Sequence, residues 1–167
     1  MTDPVLITGG AGSVGRQLTG MFLEVGRPVR IFDLPFMDFD GLEDQDGIDV
    51  VKGDITDSES VIDAVKGVGS VLHLAALLPP NSEKDKQKTF AVNVDGTKNI
   101  VDAVTQVAPE ATVVFTSSIS TYGDTSEEDG PVGVEHSQSA IDIYADSKIH
   151  GEKVVKESRV KSIILRI

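Results

Sequence analysis

A tyrosine and a lysine at helical spacing near the end of the chain are the residues best suited to chemistry. Tyr144 and Lys148 are four residues apart, so both side chains leave the same face of a helix. An ammonium group beside a phenol favours the phenolate and lowers the pKa of the tyrosine. Such a pair can move a proton at an alcohol carbon near neutral pH, the proton transfer that accompanies hydride transfer. The same spacing is also typical of a surface pair, so the neighbouring elements must decide between the two interpretations.

Two serines supply a second part of this chemistry. Ser117 and Ser118 follow an apolar run at residues 112–116 that predicts a strand. Active sites of parallel sheets gather at the carboxyl ends of their strands. A serine hydroxyl at this position can hold a substrate oxygen against the tyrosine.

A glycine-rich stretch near the start of the chain, TGGAGSVG, lies between an apolar run and a helical pattern. Gly10, Gly12 and Gly15 satisfy the spacing G-x-G-x-x-G, which is typical of dinucleotide-binding turns between a strand and a helix. The free N–H groups and the partial positive charge of a helix N-terminus attract phosphate, and side chains would keep a pyrophosphate away. The stretch therefore predicts a dinucleotide site.

An acidic residue at the end of the second predicted strand indicates which dinucleotide binds. Asp33 follows Gly15 by eighteen residues, where a carboxylate can accept hydrogen bonds from both hydroxyls of the adenosine ribose. A 2′-phosphate would be repelled there, and Leu34 and Pro35 offer no positive charge. The sequence therefore predicts NAD rather than NADP.

Strand and helix patterns alternate along the whole chain. Alternation of apolar strands with helices predicts parallel pairing with helices on both faces. We expect an α/β fold with a Rossmann-like, doubly wound parallel sheet, in one domain over residues 1–167. Strands are predicted at residues 5–8, 29–32, 48–51, 70–74, 112–116 and 162–166. Helices are predicted after the glycine stretch, with Val14, Leu18, Met21, Phe22 and Val25 on one side, and at residues 58–65, about 87–107 and about 141–157.

Composition excludes several classes of protein. The formal net charge of −12 argues against nucleic-acid binding and against docking on anionic lipid. The chain has no cysteine, which excludes disulfides and thiol chemistry, and its three histidines are scattered without the spacing of metal ligands. Apolar runs of membrane-span length and a signal-peptide pattern are both missing. We therefore predict a cytoplasmic protein without a metal site.

Taken together and in order, these motifs are similar to those of a known family. The sequence resembles the extended short-chain dehydrogenases/reductases, the NAD-dependent epimerase/dehydratase group, over essentially its whole length. The matching positions are Thr8, Gly9, Gly12 and Gly15 (T-G-x-x-G-x-x-G), Asp33, Gly53, Asp54 and Ile55 (G-D-[IL]), His73, Ala75 and Ala76 (H-x-A-A), Asn93, Val94, Gly96 and Thr97 (N-V-x-G-T), Ser117, Ser118, Tyr122 and Gly123 (S-S-x-x-x-Y-G), and Tyr144 and Lys148 (Y-x-x-x-K).

The resemblance implies roles for these residues and NAD as the cofactor. Ser118 would position the substrate hydroxyl, Tyr144 would be the general base, and Lys148 would hold the nicotinamide ribose and tune Tyr144. Asn93 would brace this region from the neighbouring helix. The residues expected to contact NAD are Gly9, Gly12, Ser13, Val14, Gly15, Asp33, Leu34, Asp54, Ile55, Leu74, Ala75, Ala76, Asn93, Thr116, Tyr144 and Lys148.

Two polar residues of the motifs also have structural interpretations. His73 is interpreted as a structural residue at a strand end rather than a base, because the family uses tyrosine for that work. Asp54 either contacts the cofactor or is an acid of the turn that precedes a helix cap at Asp57 or Ser58.

Three reactions are compatible with these motifs. The preferred hypothesis is a sugar-nucleotide epimerase, because Ser118 lies four residues before Tyr122, as in the epimerases of the family. A dehydrogenase of a sugar, a uronate or a hydroxysteroid-like alcohol is the alternative. A dehydratase is disfavoured, since Ile119 and Ser120 stand where those enzymes carry an acidic pair. The competing class is a non-enzymatic, redox-sensing NAD-binding module, although such relatives often lose the tyrosine or the lysine.

The resemblance also makes predictions about the assembly. Family members continue past the strand at residues 162–166 into a smaller C-terminal domain that grips the substrate. The chain is therefore interpreted as a truncated Rossmann domain that lacks that domain. Its partner is expected to be a small molecule, such as a nucleotide sugar or a sugar derivative. A homodimer through the helices of Asn93 and Tyr144 is plausible for this family.

Overall fold

The computed structural model describes residues 3–167, which form a parallel sheet of six strands in the order β3-β2-β1-β4-β5-β6. The strands are β1 (Val5–Thr8), β2 (Val29–Asp33), β3 (Ile48–Lys52), β4 (Ser70–His73), β5 (Thr112–Ser117) and β6 (Lys161–Arg166). From β1 to β3 each strand is added on one side of β1, and from β4 to β6 each strand is added on the other side. A crevice therefore opens at the carboxyl ends of β1 and β4, where doubly wound sheets bind their ligands. The predicted fold class is confirmed, and the predicted strand ends differ from the observed ones by at most one residue.

The helices lie on both faces of the sheet. They are α1 (Ser13–Glu24), α2 (Ser58–Val65), α3 (Lys86–Phe90), α4 (Gly96–Val107) and α5 (Ile143–Glu157). Short 3₁₀ turns occur at Ser82–Lys84 and Ile119–Tyr122. Within the part of the chain described, no helix combines the length and the apolar character needed to cross a membrane.

The long helix predicted at residues 87–107 is interrupted by a turn of π-helix. Residues Ala91–Asp95 form this turn between α3 and α4. Turns of this kind are rare and occur often at functional sites. Here the widened backbone carries Asn93, which is buried and bonds to the segment that follows β4.

The sheet buries apolar side chains on both faces. Leu6 of β1 packs into the core beneath α2 and α4, whereas its neighbours Val5 and Ile7 pack into the core on the α1 side. All four residues of β1 are buried, as expected for the central strand of a parallel sheet. Each such side chain stabilises the fold by roughly 1.5–3 kcal/mol relative to exposure, so the strand ends that carry the site are held rigidly.

The predicted apolar side of α1 is partly wrong. Leu18 and Phe22 pack against the core, but Val14, Met21 and Val25 are exposed. The buried residues of α1 are Gly15 and Thr19 instead. The helix turns this face inward because Gly15 lies directly against the backbone of Gly10, a contact that a pattern of apolar residues does not report.

Candidate active site

The glycine-rich turn after β1 packs so tightly that side chains are excluded from it. Gly9 has a φ of +69°, and a Cβ at Gly15 would lie 2.5 Å from the Cα of Gly10. The turn ends at Gly12, the N-cap of α1, which has no side-chain cap. Ser13 and Val14 of the first helical turn are exposed. The turn therefore leaves the start of α1 bare at the carboxyl edge of the sheet, and this cradle fits a pyrophosphate.

Replacing Gly15 by alanine tests this cradle. The added Cβ would meet the backbone of Gly10 at 2.5–2.7 Å, so Gly15→Ala is expected to destabilise the fold by about 1–3 kcal/mol and to weaken nucleotide binding. Gly20→Ala on the same helix is the matched control, because its Cβ meets nothing within 4 Å and should stabilise by about 0.5–1 kcal/mol. Denaturant unfolding measures both variants, and equal stabilities would contradict the close packing.

The carboxylate of Asp33 is held at the mouth of this turn. Its Oδ2 accepts a hydrogen bond from the N–H of Ala11 at 3.0 Å, and its Oδ1 accepts one from the N–H of Leu34 at 2.9 Å. Each oxygen retains a second lone pair, so the group can still accept bonds from a ribose. Leu34 is half-buried beside it.

Asp54 stabilises the turn before α2, which is one of the two roles that the sequence left open for it. Its Oδ1 accepts hydrogen bonds from the N–H of Thr56 at 2.9 Å and from the Thr56 hydroxyl at 2.8 Å. The N-cap of α2 is Asp57, whose side chain accepts from the N–H of Glu59. Ile55 is buried, and its carbonyl accepts a bond from Asn99 Nδ2 at 3.0 Å. Asp54 itself is exposed, and a cofactor contact by Asp54 stays a prediction.

A buried histidine joins the end of β1 to the π-helical turn. Thr8 Oγ1 lies 2.7 Å from His73 Nδ1 and accepts a bond from the N–H of Ala75. His73 Nε2 lies 3.0 Å from Thr97 Oγ1, which donates its own proton to the carbonyl of Asn93. Because that hydroxyl proton is already committed, His73 must donate from Nε2 and accept at Nδ1. The ring is therefore a neutral structural link.

Electrostatics keep His73 neutral. Burial, and after it the charge of Lys148, lowers the pKa of His73 to about 3. The ring is therefore neutral near neutral pH, and both of its nitrogens are already engaged by Thr8 and Thr97, which fits a structural role.

Asn93 connects the segment after β4 to α5. Its Oδ1 accepts a bond from the N–H of Leu77 at 2.7 Å, and its Nδ2 donates to the carbonyl of Leu77 and to Ser147 Oγ. Ser147 in turn donates to the carbonyl of Tyr144 at 2.7 Å. Leu74, Ala75 and Ala76, which precede this point, are half-buried along the crevice.

The buried ammonium of Lys148 lies at the carboxyl end of β5 and bonds to a backbone carbonyl there rather than to the phenol of Tyr144. Its Nζ donates to the carbonyl of Thr116 at 2.9 Å and lies 5.7 Å from the centre of the Tyr144 ring. Burial lowers the pKa of Lys148 to about 8. The Thr116 hydroxyl donates to the carbonyl of His73 at 2.8 Å, so the ends of β4 and β5 are joined at this ammonium.

The expected lowering of the Tyr144 pKa is wrong for this structure. Burial raises the pKa of the phenol, the Ser118 hydroxyl offsets part of that rise, and the charge of Asp142 adds to it. The ammonium of Lys148 is directed to a backbone carbonyl, so it does not reverse the effect of burial. With its pKa raised, the phenol of Tyr144 is protonated at neutral pH.

The two serines after β5 have different surroundings. Ser118 is half-buried and caps the following 3₁₀ turn by accepting from the N–H of Ser120 at 3.2 Å. Ser117 is buried and donates to Glu152 Oε1 at 2.6 Å. Ser118 is therefore the serine available to a ligand.

An ion pair that the sequence analysis missed supports this edge of the site. Glu152 is fully buried, and its carboxylate accepts from Arg166 Nε and Nη2, both at 2.7 Å, and from Lys156 Nζ at 2.9 Å. Burial alone would raise the pKa of Glu152, but hydrogen bonds from Arg166, Ser117 and Lys156 outweigh it and lower the pKa to about 2. Two features of the sequence could have indicated the pair: Glu152 follows Lys148 by four residues, and Arg166 is a charged residue at the end of the apolar run of β6.

Among residues 3–167, no group of three or more His, Asp or Glu side chains is arranged to hold a metal ion. The polar groups around the crevice are instead tied to one another and to the backbone. The arrangement suits an organic cofactor held by backbone N–H groups and one carboxylate.

Comparison with known proteins agrees with this geometry. Residues 6–163 match the 3-beta hydroxysteroid dehydrogenase/isomerase family. A 3-beta-hydroxysteroid dehydrogenase of Mycolicibacterium neoaurum is 34% identical over 157 residues, which cover 90% of this chain and 42% of that protein.

Solved structures resemble the fold closely. A short-chain dehydrogenase/reductase superfamily protein from Agrobacterium tumefaciens with bound NAD is 32% identical, with a TM-score of 0.81, over 97% of this chain and 48% of that one. A UDP-glucose-4-epimerase from Stenotrophomonas maltophila with bound NAD and formylated UDP-arabinopyranose is 27% identical, with a TM-score of 0.86, over 98% of this chain and 52% of that one.

The chain thus spans about half the length of the proteins that it matches, 42–52% in these three. The resemblance predicted from the motifs is confirmed: the chain belongs to the 3-beta hydroxysteroid dehydrogenase/isomerase family, within the extended short-chain dehydrogenases/reductases.

Proposed function

We propose that the protein is an NAD-dependent oxidoreductase that transfers a hydride at a secondary alcohol carbon, with Tyr144 as the group that moves the alcohol proton. One observation carries the proposal: Ser118, Tyr144 and Lys148 converge on the same sheet edge as a glycine cradle that excludes side chains. Membership of a dehydrogenase family supports it.

The residues present fit the cofactor. The turn from Gly9 to Gly15 and the start of α1 would hold the pyrophosphate, and Asp33 would accept from the adenosine ribose. Lys148 and the residues after β4 would hold the nicotinamide ribose. When bound, NAD supplies the hydride acceptor.

The chain's own residues handle the proton. The Ser118 hydroxyl holds the substrate oxygen, and the Tyr144 oxygen takes its proton in alcohol oxidation or returns it in carbonyl reduction. Lys148, whose pKa lies at about 8, brings a positive charge that favours the phenolate when it is directed to the phenol. Asn93 keeps the helix of Tyr144 against the segment after β4 through Ser147.

Exposed apolar side chains adjoin the site residues in the chain and favour an apolar alcohol. Ile119 directly follows Ser118, Ile141 lies three residues before Tyr144, and Leu78 follows the segment held by Asn93; their exposed fractions are 63%, 67% and 55%. Exposed apolar side chains at these positions would favour contact with a fused-ring alcohol over a charged nucleotide sugar. A dehydrogenase of a hydroxysteroid-like alcohol is therefore the leading proposal.

The sugar-nucleotide epimerase remains the second candidate. Ser118 lies four residues before Tyr122, and the fold superposes on a UDP-glucose-4-epimerase with a TM-score of 0.86. An epimerase returns the hydride to the substrate, so NAD is regenerated in each turnover, whereas a dehydrogenase releases NADH.

One assay separates these functions. The intact protein is incubated with NAD and either a 3β-hydroxysteroid or a UDP-sugar, and both NADH absorbance and substrate isomers are followed. NADH accumulation with the steroid supports the leading proposal, and isomerisation of the UDP-sugar without net NADH supports the second. Tight NAD binding with no conversion of any substrate would instead indicate a redox-sensing module.

Asp33 tests the choice of cofactor. Asp33→Asn removes the negative charge while keeping one oxygen acceptor for the loop, so NAD affinity is expected to fall by roughly 10-fold or more and NADP affinity to rise relative to it. Asp38→Asn is the control, because Asp38 is a largely exposed acid of the same loop. Calorimetric titration with both nucleotides measures the ratio, and an unchanged ratio in Asp33→Asn would overturn the assignment.

We also propose a cytoplasmic homodimer that uses α4 and α5. The outer surfaces of these helices carry ion pairs, Lys98 with Asp102 and Lys153 with Glu157. Sedimentation of the intact protein tests this assembly.

A further inference from the structure

A glutamate from the segment after β4 holds the start of the helix that carries Tyr144. Glu83 lies in the 3₁₀ turn Ser82–Lys84. Its Oε2 accepts a hydrogen bond from the N–H of Ile143 at 2.9 Å, and its Oε1 accepts one from the N–H of Tyr144 at 3.0 Å. The backbone of the proposed proton-transfer residue is thus bonded to a side chain 61 residues away in the sequence.

The first turn of α5 depends on this contact. A helix begins with N–H groups that have no partner within the helix. The side chain of the N-cap residue Asp142 accepts the bond from the N–H of Ala145, at 2.6 Å. Glu83 accepts the bonds from the two preceding N–H groups, so the local sequence alone does not fix where and at what angle the helix begins.

The turn that carries Glu83 is itself fixed. Ser82 is fully buried, its hydroxyl donates to Glu83 Oε1 at 2.8 Å, and its carbonyl accepts from the Thr89 hydroxyl at 2.8 Å. A second link joins the same segment to α5, because Lys86 Nζ lies 2.9 Å from Asp146 Oδ2. Although Glu83 is exposed, its carboxylate is therefore oriented toward the helix end by the hydroxyl of Ser82.

We propose that Glu83 is a positioning residue for Tyr144: by bonding the first two N–H groups of α5, it sets the place of the phenol relative to Ser118 and Lys148. The inference rests on the proposed function for its catalytic meaning, but the positioning itself can be tested without turnover. A simple capping role would change the stability of the helix and leave the surroundings of the phenol unchanged.

The composition of the chain offers a direct probe of the phenol. The protein has two tyrosines and no tryptophan, so in a Tyr122→Phe background the phenolate absorbance reports Tyr144 alone. Glu83→Ala in this background should lower the pKa of Tyr144 toward its ordinary value, because a loosened first turn exposes the half-buried phenol further to water. Glu83→Gln, which keeps one oxygen acceptor, should give a smaller shift.

Titration of Tyr144 at low and high salt separates movement of the phenol from the electrostatic effect of the Glu83 charge. A shift caused only by loss of the carboxylate charge is screened at high salt and is equal in Glu83→Ala and Glu83→Gln. A shift caused by movement persists at high salt and is larger in Glu83→Ala. An unchanged titration in Glu83→Ala, or a shift that disappears in salt, would overturn the proposal.

Kinetics supply the second readout. With a substrate identified as above, Glu83→Ala is expected to lower kcat by roughly 10- to 100-fold, because small misplacements of a catalytic group are costly, with KM for NAD changed little. The matched control is Glu59→Ala, an exposed glutamate in the first turn of α2. A loss confined to KM for NAD would contradict the proposal. If the unmodified protein turns over no substrate, the proposed function fails, and the titration still decides the role of Glu83.

Discussion

Tyr144→Phe is expected to lower kcat by about 10²- to 10⁴-fold, the usual contribution of a positioned acid or base, while NAD binding is retained. The substitution removes only the phenolic oxygen, which is the atom proposed to exchange the proton with the substrate. The ring remains half-buried in its place, and the backbone bonds from Tyr144 to Glu83 and Ser147 do not involve the phenol. Steady-state kinetics and calorimetric titration with NAD measure the two effects separately.

The other tyrosine provides the matched control. The Tyr122 hydroxyl accepts a hydrogen bond from Arg166 Nη1 at 2.9 Å, whereas the ammonium of Lys148 bonds to the carbonyl of Thr116. Tyr122→Phe should therefore keep turnover within a few-fold of the unmodified protein. Equal turnover in Tyr144→Phe and Tyr122→Phe would exclude Tyr144 as the proton-transfer residue.

The pH profile should follow the ionisation of Tyr144. Because burial raises the pKa of this phenol, alcohol oxidation is expected to accelerate toward alkaline pH, where the phenolate forms. Carbonyl reduction, which needs the protonated phenol, is expected to be favoured at lower pH. The residual activity of Tyr144→Phe should lack the alkaline rise, which separates loss of the phenol from a general loss of structure.

The sheet and the glycine turn could be predicted because their causes are local. Buried parallel strands are short apolar runs, and the turn at Gly15 needs glycine for a contact with Gly10, five positions away. The place of Asp33 at the end of β2 was predictable for the same reason, because it closes the next apolar run. These elements carry their physical constraint in adjacent residues.

The missed features depend on contacts between distant parts of the chain. The π-helical turn at Ala91–Asp95 carries Asn93, which bonds to Leu77 sixteen residues away, and Glu83 meets α5 from across the site. The predicted sign of the Tyr144 pKa shift was wrong because burial, which the sequence does not report, raises the pKa of the phenol, and the ammonium of Lys148 bonds to the Thr116 carbonyl instead. Sequence spacing shows which side chains can lie close together, but it does not show how deeply each of them is buried.

Arg166→Met is expected to destabilise the fold by about 2–3 kcal/mol at neutral pH. Removing one partner of a buried ion pair leaves an uncompensated charge, which costs about 3–5 kcal/mol when no other partner remains. Here Lys156 still contacts the carboxylate of Glu152, so the expected loss is smaller. The substitution also removes the bonds from Arg166 to the Tyr122 hydroxyl and to the carbonyl of Val134, so the segment before α5 should loosen as well.

The stability lost in Arg166→Met should be larger at neutral pH than in acid. Because the folded protein lowers the pKa of Glu152 from 4.5 to about 2, the ionised carboxylate stabilises the fold above the unfolded value of 4.5 and loses that effect as the pH falls toward 2. Without Arg166 the pKa of Glu152 should rise, so the stability difference between the two proteins should be largest at neutral pH and shrink as the pH falls toward 2. Lys161→Met is the matched control on the same strand, because its ion pair with Glu110 is exposed and contributes little. Urea unfolding at neutral pH and at about pH 3 tests both points. If Arg166→Met costs no more than Lys161→Met, or if its cost grows in acid, the buried pair does not support this edge of the site as the structure indicates.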